Sequence, residues 1–168
     1  GETFDYRVPG YETCVVPATG TVTVETAGET FARIGTRGAD VWDGEPEGVY
    51  VPTDTGARIT ALTDTETFVA GARHAETLTP FAVRAPELDL VQYGSDDTKT
   101  HRKIKHILGA NHHDRVGRLL VSELFTVGAG GWSGFPSHKH DTDRRDETGE
   151  TVETRHDECY NFRFRPAH

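Results

Sequence analysis

Apolar and polar positions alternate in short runs over the first ninety residues, the period-two signature of half-buried β-strands. In Gly20-Thr21-Val22-Thr23-Val24-Glu25-Thr26 the valines fall on one side and Thr21, Thr23 and Glu25 on the other. Thr13-Cys14-Val15-Val16, Phe31-Ala32-Arg33-Ile34, Gly48-Val49-Tyr50-Val51-Pro52, Ala57-Arg58-Ile59-Thr60-Ala61-Leu62 and Glu66-Thr67-Phe68-Val69-Ala70 are likewise rich in β-branched or aromatic residues. Between them, Ala27-Gly28-Glu29, residues 43–48 and Asp54-Thr55-Gly56 carry turn chemistry. Short strands at such regular spacing predict a β-sandwich or small barrel.

The second half is less uniform. Residues 94–100 are polar and contain Gly94, which suits a linker. Over 99–108, Ile104, Ile107 and Leu108 recur at helical spacing, so this run reads as either a short helix or an extended arm. A strand is expected over 118–127, followed by the glycine-rich turn Gly128-Ala129-Gly130-Gly131. Residues 141–155 are almost wholly polar or charged and predict an exposed hairpin excursion. A last strand is expected over 158–164, with Tyr160, Phe162 and Phe164 on one face and Cys159 turned into the core.

Composition narrows the function classes. Asp and Glu number 27 against 18 Lys and Arg, a net charge of -9, and no basic stripe interrupts the acidic background. Duplex nucleic acid and anionic membranes are therefore poor partners. Lysine occurs at only four positions (99, 103, 105 and 139), a surface chemistry that resembles salt-adapted cytosolic proteins. Two cysteines far apart make no disulfide framework, and a reducing cytoplasm is the default compartment. No apolar run reaches the ~20 residues of a membrane span. The absence of methionine, even at position 1, reads as a processed or trimmed start.

The chemistry concentrates near the C-terminal end. Gly130-Gly131-Trp132-Ser133-Gly134-Phe135-Pro136-Ser137-His138-Lys139-His140-Asp141 steers the backbone through glycine and proline into two histidines two residues apart. On an extended backbone both imidazoles point to the same side, where a carboxylate can join them around a divalent cation. Glu158 is the carboxylate selected, because it opens an aromatic strand, although Glu147, Glu150, Glu153 and Asp157 compete for the role. His101, His106, His112, His113 and His156 read as surface groups, and His74 has no partner nearby in sequence. Neither a phosphate loop nor a serine elbow is present.

These segments resemble the 5-deoxy-glucuronate isomerase family, bicupins of inositol catabolism. The family pattern W-S-S-Y-P-P-H-K-H-D followed by E-E-x-Y-Y-Y-R is similar to residues 132–141 and 157–164, with Asn161 in place of one tyrosine. Arg37-Gly38-Ala39-Asp40-Val41-Trp42-Asp43-Gly44-Glu45-Pro46 and Val49-Tyr50-Val51-Pro52 resemble its first lobe, and residues 102–108 and 119–123 its connector. The resemblance implies an all-β bicupin, a jelly-roll fold. By the same resemblance, residues 1–93 are expected to form the N-terminal cupin lobe, 94–108 a connector, and 109–168 the first strands of an incomplete C-terminal barrel.

It further implies a divalent metal ion (Zn, Mn or Fe) held by His138, His140 and Glu158, with a fourth ligand expected beyond His168. The implied reaction is an aldose-ketose isomerisation of a small sugar acid, with Arg163 as the partner of the substrate carboxylate and no residue singled out as base. A homo-oligomer is compatible with this reading. The alternatives are the related 4-deoxy-5-keto-uronate isomerase, an iron-dependent cupin dioxygenase, and a non-catalytic cupin remnant that binds or assembles with a partner chain.

Overall fold

Strand β2 (Tyr11–Thr19) is buried along nearly its whole length, and the fold is arranged around it. The computed structural model describes residues 1–133 and 138–165. Residues 134–137 of the histidine motif and the 166–168 tail lie outside the described residues. The other strands are β1 (Thr3–Tyr6), β3 (Val22–Thr26), β4 (Glu29–Ile34), β5 (Gly48–Val51), β6 (Ala57–Ala61), β7 (Glu66–Arg73), β8 (Phe81–Val83), β9 (Asp89–Tyr93), β10 (Arg102–Leu108), β11 (Val121–Thr126), β12 (Arg144–Arg145) and β13 (Thr151–Glu153). All nine strand pairings among the described residues are antiparallel. The only helical elements among the described residues are three-residue 3-10 turns at Val41–Asp43, Ala85–Glu87 and Ala110–His112. The chain is thus all-β, and none of its described helices is long and apolar enough to cross a membrane.

One four-stranded sheet runs β1-β6-β3-β4 and another runs β7-β2-β5-β8. Between them pack Val15, Val22, Val24, Ile34, Val49, Val51, Ala57 and Ile59. Alternation along β2 and β5 sends Cys14, Val16 and Tyr50 to the opposite face, where they join Phe81, Val83, Ile107, Leu108 and Leu119 in a second cluster. Because this sheet is covered on both sides, β2 and β5 lack a polar face. Each fully buried aliphatic side chain here contributes about 1.5–3 kcal/mol of transfer free energy. The β3–β4 hairpin closes through Ala27 and Gly28, both at positive φ (51° and 81°), the conformation of a type I′ turn matched to strand twist.

A three-stranded sheet, β11-β10-β9, carries Ile107 and Leu108 into the second cluster. The 99–108 run is therefore resolved as a strand, not a helix. Residues 94–100 form the turn into it: Gly94 has φ 75°, and a Cβ there would lie 2.2 Å from the Thr100 carbonyl oxygen. The strand expected over 118–127 is confined to β11.

Contacts divide the chain into two compact units, Gly1–Gly131 and Trp132–His168. Within the second, the polar 141–155 excursion forms the exposed hairpin β12–β13. The strand expected over 158–164 does not form: among the described residues its backbone pairs with no other strand in a hydrogen-bond ladder. Cys159 is correspondingly exposed instead of buried in a core.

Candidate functional site

The histidine segment belongs to the second unit and is organised by the hairpin that follows it. Asp146 caps the turn, accepting from the Thr148 hydroxyl (2.7 Å) and from the backbone N–H groups of Thr148 and Glu150. The Thr148 hydroxyl bond, the largest influence, helps hold the Asp146 carboxyl below its ordinary pKa. At the open end Asp143 accepts the Arg155 N–H at 2.8 Å, and Arg144 lies 3.6 Å from Glu153. The returning chain then donates the His156 N–H to the His140 carbonyl oxygen at 3.0 Å.

Three imidazoles form a row. His138 and His140 have ring centroids 5.0 Å apart at 73°, and His140 and His156 are 5.0 Å apart at 71°. His156 is also held by Thr154, whose Oγ1 lies 2.6 Å from Nε2. Lys139, between the two motif histidines, donates to Asp141 at 2.8 Å in an exposed pair.

Glu158 is engaged elsewhere. Its Oε1 accepts the Tyr160 hydroxyl at 3.0 Å; partial burial, reinforced by this carboxylate, raises the Tyr160 phenol above its usual pKa. Tyr160 stacks on Phe162 at 5.9 Å and Phe162 on Phe164 at 6.5 Å, so alternate residues do share a face without a paired strand. All three rings are more than 60% exposed, and Arg163 is exposed between them.

The donor chemistry suits a cation at two positions, the adjacent imidazoles of His138 and His140. Among the described residues, no three His, Cys, Asp or Glu side chains converge closely enough to hold a metal ion. The structure therefore assembles the histidine pair but does not bring Glu158 to it as a third donor. His156, expected on the surface and indeed exposed, is the residue beside His140. Its signal was the turn sequence Asp146-Glu147-Thr148-Gly149, which closes the hairpin and fixes where the returning chain lands.

Other polar residues tie the first unit together. The Arg37 guanidinium forms a two-pronged pair with Glu123, one arm at 2.7 Å, while its Nε donates to the Gly44 carbonyl. Lys105 pairs with Glu45 at 2.5 Å and sits over the Phe125 ring, which Trp42 meets edge-on at 5.3 Å. The 37–45 loop is thereby docked on β10 and β11. His101 is bound by Asp96 and Gln92. His74, His106 and His112 are partly enclosed, each with one ring nitrogen buried and without a hydrogen-bond partner, which departs from the surface role expected of His106 and His112.

The KduI/IolB family model matches residues 1–168. A Bacillus subtilis protein named 5-deoxy-glucuronate isomerase is 30% identical over 155 residues, covering 92% of this chain and 55% of the relative. A Geobacillus kaustophilus protein of the same name is 30% identical over 169 residues, covering 100% of this chain and 57% of the relative. The crystal structure of an IolB-like protein from Salmonella typhimurium superposes with a TM-score of 0.75 at 31% identity, covering 84% of this chain and 52% of that one. The chain spans about half the length of the curated relatives it matches.

Proposed function

The chain belongs to the KduI/IolB family, and on that premise we propose that the protein interconverts the aldose and ketose forms of a deoxyuronic acid, taking 5-deoxy-glucuronate to 5-dehydro-2-deoxy-gluconate in myo-inositol catabolism in the cytoplasm. The observation that carries this reading is the 5.0 Å adjacency of the His138 and His140 imidazoles within the H-x-H motif. The names of the relatives at about 30% identity support the substrate.

In this reading His138, His140 and Glu158 hold a divalent cation (Zn, Mn or Fe), which when bound supplies Lewis-acid stabilisation to developing negative charge on oxygen. Glu158 already accepts the Tyr160 hydroxyl on Oε1, which leaves Oε2 to turn toward a cation. Arg163 offers a planar pair of N–H donors to the substrate carboxylate, a geometry lysine cannot reproduce. The test is to incubate the purified protein with 5-deoxy-glucuronate, with and without each cation, and follow the keto product. Metal-dependent product that disappears in His138→Ala and His140→Ala supports the proposal; a metal-loaded protein without turnover overturns it. Turnover of 4-deoxy-5-keto-uronate instead reassigns the substrate.

A non-catalytic cupin module is the second reading, favoured by the lack of a three-donor cluster among the described residues. Elemental analysis combined with light scattering separates the two. A monomer carrying stoichiometric metal excludes the module, whereas a metal-free obligate oligomer supports it.

A further inference from the structure

We infer that His156 is a positioning residue for His140: it holds the imidazole of the second motif histidine in one orientation without itself being a cation ligand. The inference rests on the reading of His138 and His140 as ligands. Three observations converge on the same pair of residues. The His156 N–H donates to the His140 carbonyl at 3.0 Å, which fixes the two backbones side by side. The His156 ring meets the His140 ring edge-to-face at 5.0 Å and 71°, one of the arrangements aromatic quadrupoles prefer. Thr154 Oγ1, at 2.6 Å from His156 Nε2, fixes the rotation of the supporting ring.

The hairpin explains why this support is needed. Lys139 and Asp141 on either side of His140 are exposed and pair with each other, so neither orients the ring. His138 is itself exposed, while His140 is partly enclosed. Cation affinity depends on ligand rings being held ready, and removing such an outer support commonly costs 10- to 100-fold in affinity. His156 lies outside the ligand set because its Nε2 is committed to Thr154 and no third donor converges with the motif histidines among the described residues.

The test compares His156→Ala with His156→Phe in the full 168-residue chain. Because the backbone N–H survives in both, hairpin closure is retained and only the ring is varied. In metal-free protein, the Hα–Hβ couplings of His140 are expected to report a single χ1 rotamer, to average in His156→Ala and to report a single rotamer again in His156→Phe. Cobalt(II), followed by its visible absorption, is expected to bind roughly tenfold or more weakly to His156→Ala, with most of the affinity restored by phenylalanine. Unchanged His140 couplings in His156→Ala overturn the inference. So does a phenylalanine variant that restores the couplings yet binds cobalt as poorly as alanine, since that identifies His156 as a ligand. If the unaltered protein binds no cobalt, the cation reading fails by itself, and the metal-free couplings still decide whether His156 orients His140.

Discussion

The carboxylate of Glu12 accepts the Tyr50 hydroxyl at 2.7 Å, with both side chains excluded from solvent. The same carboxylate accepts the consecutive backbone N–H groups of Gly117, Arg118 and Leu119. One buried anion in β2 thus ties β5 to the loop that lays Leu119 on the second hydrophobic cluster. Burial first, and then the bond from Tyr50 to Glu12 and the charge of Glu12, push the Tyr50 phenol well above its ordinary range. A carboxylate is tolerated at this depth because four donors replace its water.

Removing either partner is expected to hurt unequally. Tyr50→Phe deletes one of four donors and costs about 1.5–3 kcal/mol, the usual worth of a hydrogen bond to a charged group. Glu12→Ala strands a hydroxyl and three backbone N–H groups, each worth roughly 1–3 kcal/mol when buried unsatisfied, so its total exceeds that of Tyr50→Phe. Urea unfolding of the two variants measures the difference; equal losses contradict the shared-anion account.

The two thiols are expected to react very differently. Cys14 is fully buried, and burial pushes its pKa up to about 12 despite a bond from the Val49 backbone. Thiolate, not thiol, attacks alkylating and disulfide reagents. One thiol per folded chain, Cys159, should therefore titrate with Ellman's reagent, and a second should appear only in denaturant. Cys159→Ser should leave the folded chain unreactive, and rapid labelling of that variant refutes the buried placement of Cys14.

The Arg37–Glu123 pair provides a contrast with a surface pair. The Arg37 side chain is 1% exposed and that of Glu123 23%, whereas Arg58 and Asp5 are more than half exposed. Glu123→Ala leaves the buried guanidinium without its counter-charge, its Nε still on the Gly44 carbonyl, and is expected to cost about 3–5 kcal/mol. Asp5→Ala should leave the unfolding midpoint unchanged within error, because its partner regains water. Comparable effects in the two variants, measured by denaturant unfolding, contradict the role of Arg37 in docking the 37–45 loop.

Strands were most legible where one residue in two had to be buried. Val22 and Val24 announce β3 because the alternating threonine and glutamate face outward. Strand β1 gave no such signal: Thr3, Phe4 and Asp5 are exposed and only Tyr6 packs against the core, so burial places few demands on its residues. Strand β10 imitated a helix because its register shifts between His106 and Leu108, turning the successive residues Ile107 and Leu108 into the core. In the site, the period of two was enough to put the His138 and His140 rings together. It also gave the common face of Tyr160, Phe162 and Phe164, but periodicity names a face and not the neighbour that would pair with it. His156 lay outside any local pattern, since its place depends on a turn ten residues earlier closing onto His140.

His112 is expected to make the fold sensitive to mild acid. Its ring lies 5.1 Å from Phe81, and its Nε2 is buried without a partner. Burial chiefly, and the nearby Arg115 guanidinium next, lower its pKa; Glu87 and Asp114 oppose them. The folded protein therefore binds this proton less tightly than the unfolded chain, in which histidine titrates near about 6.5. Above that pH the residue's contribution is complete; as pH falls through it, the unfolded state takes up more protons and stability declines until the lower folded-state pKa is passed. The urea midpoint is expected to drop between about pH 7.5 and pH 5.5, above the range where most carboxylates titrate. His112→Phe keeps an apolar ring against Phe81 but cannot take up a proton, so its midpoint should fall less over that interval. An undiminished drop in this variant would assign the acid sensitivity to other groups.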